Sequence, residues 1–292
     1  MDLWAPTSRL DRVEEQRDPA WVREVWAGGV VLDVDLDGNL ACDAAGTGLA
    51  WRDPREPYDE QRHLLLGLVD GVPHFAQLSE EPGATASLRA LGAHLDDTGN
   101  DLAATALALV NWHLVAPYCG VCGGPTIVRH GGDVRYCPHC ERDRFPRTDP
   151  AVIVAILDPA GRLLLGHHAG WDERRVSILA GFVSAGESLE QAVRREVREE
   201  ASIELGVVRY VGSQPWPFPR SLMLGFVAEA LTDDVHVDGD EIEWANFYTV
   251  DEVAEQVADG RLVLPLKLSI ASRLIGAWRD GRLTVQGAPG EM

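Results

Sequence analysis

Basic residues are scarce in this chain. Its 292 residues hold 26 Lys+Arg against 46 Asp+Glu, a formal net charge of −20 at pH 7. Lysine is almost missing: Lys267 stands alone and arginine carries the remaining positive charge, which reads as a GC-rich coding bias. Such a deficit argues against loose, charge-driven binding to nucleic acid or to an anionic membrane, because both need basic surface. It leaves open a polyanionic substrate whose charge is met by metal ions. Long apolar runs are also missing, since the longest apolar-looking stretch, Ala103 to Val110, is far too short to span a bilayer. The opening MDLWAPTSRLDRVEE has no basic region leading into an apolar segment, so it does not read as a signal peptide. The expectation is a soluble, cytoplasmic protein with no membrane partner. No repeat and no low-complexity segment is found. No G-x-G-x-x-G follows a strand and opens a helix, which disfavours a nicotinamide-dependent dehydrogenase. What is present, 46% hydrophobic and 25% charged residues, is the balance of a globular chain with room for two ordinary domains.

Cysteine is sparse but patterned. Four of the five, Cys119, Cys122, Cys137 and Cys140, form C-x2-C-x14-C-x2-C. Two such knuckles can place four thiolates tetrahedrally around one Zn²⁺ per chain. Gly120, Gly123, Gly124 and Pro138 suit the tight turns, and His139 reads as a bystander. Two disulfides are the competing reading, disfavoured in a reducing compartment. A redox pair would need a thioredoxin-like βαβ context, which is not seen. Four cysteines leave no open coordination position, so the zinc would be structural. Cys42 reads as a buried free thiol.

Along the chain, strands are expected at 29–34, 62–69 and 72–78, the last two joined by the turn pair Asp70-Gly71. Helices are expected at 84–95 and 101–114. His63, His74 and His94 are isolated and read as ordinary structural or surface residues. After the cysteine segment come strands at 151–157, 162–166 and 178–183, a helix at 187–202, strands near 207–212 and 222–231, and helices near 250–257 and 265–279. Mixed strands around helices suggest an α/β sandwich.

The helix at 187–202 carries the chemistry. Leu189, Val193 and Val197 recur every four residues as an apolar stripe. Glu196, Glu199 and Glu200 are three and four apart and share a neighbouring face. Crowded carboxylates on a half-buried helix call for a cation, and oxygen ligands suit Mg²⁺ or Mn²⁺. Arg195, four residues before Glu199, can hold that carboxylate. A solvated surface helix is the competing reading; the glycine-bounded loop before it favours the metal site.

These residues resemble the Nudix box, G-x5-E-x7-R-E-U-x-E-E-x-G-U. Gly181, Glu187, Arg195, Glu196, Val197, Glu199, Glu200 and Ile203 fall in register, while Ser202 stands where the second glycine is expected and Ser184 where relatives are often acidic. Downstream, Ser213, Gln214, Pro215, Trp216, Pro217, Phe218, Pro219, Arg220, Ser221, Leu222 and Met223 read SQPWPFPRSLM. Three prolines alternating with two aromatics make a stiff, donor-poor loop suited to stacking on a base; a structural corner is the alternative. This run resembles that of the NADH pyrophosphatases, the NudC-type Nudix hydrolases, which also carry a four-cysteine ribbon before the Nudix domain.

The resemblance implies an α+β chain: an N-terminal mixed α/β domain over 1–115, a zinc ribbon over 116–147 and a Nudix α/β/α sandwich over 148–292. It implies two or three Mg²⁺ or Mn²⁺ ions held by Glu196, Glu199, Glu200, Glu241 and the Ala180 carbonyl. Glu196, Glu199, Glu200 and Arg195 form the catalytic set, with Glu199 or Glu200 as the base. Phe145 would stack on a base, Gln214 to Ser221 would line the substrate, and Ala271 would touch it. The implied reaction is hydrolysis of the pyrophosphate of NADH or NAD to nicotinamide mononucleotide, reduced or not, and AMP. The same chemistry would remove an NAD cap from an RNA 5′ end. An alternative of another class is an inactive zinc-ribbon module that binds nucleic acid. A homodimer is implied by the resemblance alone.

Overall fold

The computed structural model describes residues 7–285. They fall into two compact units, one of residues 7–148 with 216–220, the other of residues 149–215 with 221–285.

The first unit begins with β1 (Leu10–Asp11), α1 (Pro19–Trp26), β2 (Val30–Val34), β3 (Leu40–Ala41), β4 (Trp51–Arg52), β5 (Leu64–Val69), β6 (Val72–Leu78), β7 (Thr85–Ala86), α2 (Leu88–Leu91) and α3 (Asp97–Val115). The strands form one sheet in the order β1-β5-β6-β2-β3-β7, with β4 added to β2; only β6 and β2 run parallel. β5 and β6 meet at Asp70-Gly71, both at positive φ, as a two-residue hairpin requires. Val22, Trp26, Val31, Leu65 and Phe75 build the core beside this sheet. His63 belongs to that core: it is fully buried and stacks on Trp26 at 4.1 Å.

The helix expected at 84–95 is not formed as such. Thr85 and Ala86 pair with β3 as a strand, Ser87 caps a helix through the Ala90 N–H, and only Leu88–Leu91 is helical. Strand pairing outweighs local helix propensity here. α3 starts earlier than expected because the Asp96 carboxylate accepts the Gly99 N–H. The cysteine segment adds an antiparallel meander of β8 (Ile127–Arg129), β9 (Val134–Cys137) and β10 (Arg142–Arg144).

The second unit contains β11 (Asp149–Leu157), β12 (Leu163–His168), β13 (Leu179–Phe182), α4 (Leu189–Ala201), β14 (Leu205–Trp216), β15 (Ser221–Ala230), β16 (Ile242–Tyr248), α5 (Val250–Ala258) and α6 (Ile270–Arg279). Its sheet runs β14-β15-β11-β12-β16, with β13 also on β11 and β15 parallel to β11. β11 shows why this is a sandwich. Successive side chains of a strand point to opposite faces. Ile153, Ala155 and Leu157 pack with Val253 of α5 and with Leu274, Ile275 and Trp278 of α6. Val152, Val154 and Ile156 pack with Ala192, Val193 and Val197 of α4. Helices therefore cover both faces, and β11 is apolar without alternation. Val193 and Val197 are fully buried, each contributing roughly 1.5–3 kcal/mol relative to exposure.

Candidate active site

The chain leaves β13 at Phe182 and enters α4 through Ser188. The Ser188 hydroxyl accepts the Gln191 backbone N–H, and the Gln191 side-chain Oε1 accepts the Ser188 N–H, a reciprocal capping box. This fixes where the helix begins and, with the apolar stripe docked, how its acidic residues are turned. Gly181 sets the distance between strand and helix. A Cβ there would sit 2.0 Å from the Glu196 carboxyl carbon, so a side chain would drive Glu196 away. At the far end Ser202 caps the helix at φ 56°, ψ 26°, the left-handed region normally given to glycine.

Arg195 organises the cluster. Its Nε and Nη2 donate to the two oxygens of Glu187 at 2.8 and 2.9 Å. Its Nη1 lies 3.0 Å from Glu199 and 2.9 Å from Glu196, and Nη2 also donates to the Phe182 carbonyl at 2.9 Å. The guanidinium holds the Glu187 carboxyl below its usual range. It also ties loop, strand and helix into one piece. The structure thus makes Glu187, and not only Glu199, the main partner of Arg195.

Glu200 is different. It is 4% exposed, and its Oε2 has no hydrogen-bond partner. Burial first, then the nearby charges of Glu196, Glu241, Asp238 and Glu199, push its carboxyl up to about 8. Glu196 is pushed up as well, again chiefly by burial and against the pull of Arg195. A buried, unpartnered carboxylate among other carboxylates is costly unless a cation joins it. The donor set is all oxygen, so the residues fit a hard divalent cation. Glu241 precedes β16 and faces this group; its carboxylate lies 3.8 Å from His168 Nε2. Glu243, two residues on, faces buried His167 at 3.5 Å instead. A bulge at His167/His168 separates the two glutamates. Ala180 lies in β13, opposite Ile153 and next to Gly181.

Among the described residues, the tightest potential ligand group is the four cysteines, whose sulfurs all lie within 4.8 Å of one another. None forms a disulfide. Backbone N–H groups of Gly124 and Cys140 point at the sulfurs of Cys122 and Cys137. The Cys122 N–H, and next the Arg144 guanidinium 3.1 Å away, pull the Cys119 thiol down to about 5. Hydrogen bonds within the group and the Cys119 charge push the Cys140 thiol up instead, so four crowded sulfurs with one favoured thiolate suit a zinc ion.

The aromatic run divides between the units. Gln214 is buried, and its amide is fully engaged: Nε2 donates to the Leu268 carbonyl at 2.8 Å and Oε1 accepts the Ile270 N–H at 2.6 Å. It pins the start of α6, a structural role that the sequence did not show. Ala271 is 4% exposed within the core behind β11, a packing position. Ser221 is buried opposite Asp149 at the start of β15, and Pro215 ends the second unit's part of the run. Trp216, Pro217, Phe218, Pro219 and Arg220 belong to the first unit. There Trp216 and Phe218 meet edge to face at 5.0 Å. The Arg89 guanidinium lies 4.4 Å from the Phe218 ring centre and 5.9 Å from that of Trp216. Asn111 of α3 donates to the carbonyls of Pro217 and Pro219. Phe145, 52% exposed, is in the same unit.

Residues 147–266 match the NUDIX domain family, and residues 116–144 match the NADH pyrophosphatase zinc ribbon domain. Over 295 aligned residues the chain is 39% identical to the NAD-capped RNA hydrolase NudC of Mycobacterium bovis, covering 92% of this chain and 91% of that one. The chain belongs to the NudC-type Nudix hydrolases. The NudC of Mycobacterium tuberculosis is equally similar, with the same coverage. Nudix hydrolase 19, chloroplastic, of Arabidopsis thaliana is 43% identical over 54% of this chain and 38% of that protein. Membership in this hydrolase family fits the intact carboxylate helix and rules against the reading as an inactive binding module.

Four residues near these groups were not expected from the sequence. Asp238 accepts the N–H groups of Asp240, Glu241 and Ile242 and so shapes the turn that presents Glu241. Its D-G-D spacing is a turn signal that would have found it. His168 beside Glu241, and Arg89 and Asn111 on the aromatic loop, are joined to their partners only by the fold.

Proposed function

We propose that this Nudix hydrolase cleaves the pyrophosphate of NADH or NAD with water, giving nicotinamide mononucleotide, reduced or not, and AMP. The observation that carries the reading is Glu200, a buried carboxylate without a partner among Glu196, Glu199 and Glu241. Glu196, Glu199, Glu200, Glu241 and the Ala180 carbonyl would hold Mg²⁺ or Mn²⁺, two or three ions in all. Such ions neutralise a diphosphate, orient it and lower the pKa of a bound water. Arg195 acts through the carboxylates and is a positioning residue. Glu199 is shared with that guanidinium, whereas Glu200 is not, so Glu200 is the freer group to take a proton from water. Trp216 and Phe218 offer ring faces for a nicotinamide or adenine base, and Phe145 offers another. The four cysteines would hold one structural zinc.

A second substrate uses the same bond. The names of the mycobacterial relatives favour NAD at the 5′ end of RNA. The charge of −20 argues for admission of a short single-stranded end rather than an extended RNA groove. A homodimer and a cytoplasmic setting complete the reading, on family grounds.

The deciding experiment is a product assay with NADH, NAD, ADP-ribose and a diadenosine diphosphate, each with Mg²⁺, Mn²⁺ or EDTA. Metal-dependent release of AMP and nicotinamide mononucleotide from NAD(H) is expected. Cleavage of ADP-ribose or the diadenosine compound alone would overturn the substrate assignment.

A further inference from the structure

A recess of about 280 Å³ opens within the first unit, away from the carboxylate helix. Leu64, Leu78, Val110 and Leu114 form apolar wall, and Arg62, His113 and Arg135 bring nitrogen to it. Its lining contains no acidic residue, in a chain where acids outnumber bases 46 to 26.

Arg135 is the unusual member. It is 8% exposed, yet every hydrogen-bond partner it has among the described residues is neutral. Nε donates to Thr126 Oγ1 at 2.7 Å, Nη2 to the Thr126 carbonyl at 3.2 Å, and Nη1 to His113 Nδ1 at 2.9 Å. His113 Nε2 donates in turn to the Gly132 carbonyl at 2.8 Å. That bond fixes the tautomer: the proton sits on Nε2, and Nδ1 is the acceptor for Arg135. Burial pushes the imidazole down to about 4, so it is neutral near pH 7 and neither balances nor repels the guanidinium. Burial is the one influence acting on the Arg135 charge; no carboxylate among the described residues offsets it. Buried guanidinium groups are normally paired with an anion, because an uncompensated buried charge is destabilising. Two of its five N–H bonds remain beyond the three described.

We propose that this recess binds a small carboxylate with a short apolar body. One buried cation with two N–H bonds to offer matches a singly charged, planar head group. The leucine and valine walls match an aliphatic remainder, and the volume lies at the small end of ligand sites. Arg62, exposed on the rim, adds attraction at the mouth. A phosphate dianion would bring more charge and more acceptors than the site has donors, and nothing apolar for the walls. The recess lies where α3 and β9 approach β5 and β6, so an occupant would brace the ribbon against the N-terminal sheet.

The test uses the full zinc-loaded chain and isothermal titration with sodium hexanoate, hexanamide, hexylammonium chloride and sodium phosphate at matched ionic strength. Saturable binding of one hexanoate per chain is expected, with hexanamide at least roughly tenfold weaker, because it lacks the charge that Arg135 answers. Leu78→Trp, which fills the recess from a half-buried position, should abolish the binding. Arg62→Glu, an exposed change that leaves the fold untouched, should weaken it and keeps the test decisive if Leu78→Trp does not fold. No saturable hexanoate binding, equal binding of hexanamide, a preference for phosphate, or unchanged affinity in Arg62→Glu would each overturn the proposal.

Discussion

Glu200 combines two costs: it is buried, and its neighbours share its charge. Glu200→Gln removes the charge and keeps the shape. Turnover of NADH should fall roughly 10²–10⁴-fold, while the metal-free protein should melt at the same temperature or higher, because a poorly accommodated charge is gone. Steady-state kinetics beside a thermal melt checks both halves; near wild-type turnover would remove Glu200 from the reaction. The same residue sets a pH dependence. Its carboxyl is raised from 4.5 to about 8, so the folded protein holds a proton there that the unfolded chain has released. The contribution of Glu200 to the stability of the metal-free protein is therefore greatest on the acid side and declines as pH rises from about 4.5 to about 8, a difference read against Glu200→Gln. Bound metal displaces that proton. Apparent Mg²⁺ affinity should rise by up to about tenfold per pH unit and level off above about 8, and a melt series with and without Mg²⁺ reads this directly. Ser202 makes a smaller, separate point. A non-glycine residue at φ 56° costs about 1 kcal/mol, so Ser202→Gly should raise stability by about that amount in urea unfolding and leave turnover unchanged.

At the level of elements, the apolar stripe of α4 was legible because it lies within one helix and obeys a single period. β11 was legible as a strand from its apolar run, but its two faces were not, because it is apolar without alternation. The region 84–95 was misread because a two-residue strand, stabilised by a distant partner at Leu40–Ala41, outweighs local helical spacing. Site residues follow the same division. Glu187, Arg195, Glu196, Glu199 and Glu200 sit within fourteen positions of one another and could be found by spacing. His168, Arg89 and Asn111 reach their partners across the fold, whereas Asp238 acts within its own turn. The contacts of Gln214 to Leu268 and Ile270 were not legible, since periodicity does not show which amide is already engaged. Arg89 gives the element-scale prediction. Its guanidinium lies over Phe218 and steadies a loop that Asn111 holds from behind. Arg89→Ala should raise KM for NADH roughly two- to fivefold with kcat nearly unchanged, and Arg89→Lys should recover part of the loss. An unchanged KM would leave the contact purely structural.

For the molecule as a whole, the acidic balance has acquired a location. Part of it is gathered on α4 and at Glu241, where divalent cations would invert the local sign for a diphosphate. The remainder opposes any long polyanion. Affinity for NAD-capped RNA should therefore fall only weakly between low and moderate salt, with a slope equivalent to about one or two phosphates, and the KM for free NADH should hardly move. Filter binding across a salt series measures the slope; a steep one would reveal an extended RNA path.

The assignment of Trp216–Arg220 to the N-terminal unit bears on how such proteins can be recombined. Among the described residues the chain passes from one unit to the other three times, near residues 148, 215 and 220, so no single junction separates them. A chimaera joined at residue 148 would unite the loop of one parent with the α2 and α3 of another. Arg89 with Phe218, and Asn111 with Pro217, would then face strangers. Any recombination that keeps the loop must therefore exchange these pairs together, so the N-terminal unit is not an interchangeable appendage.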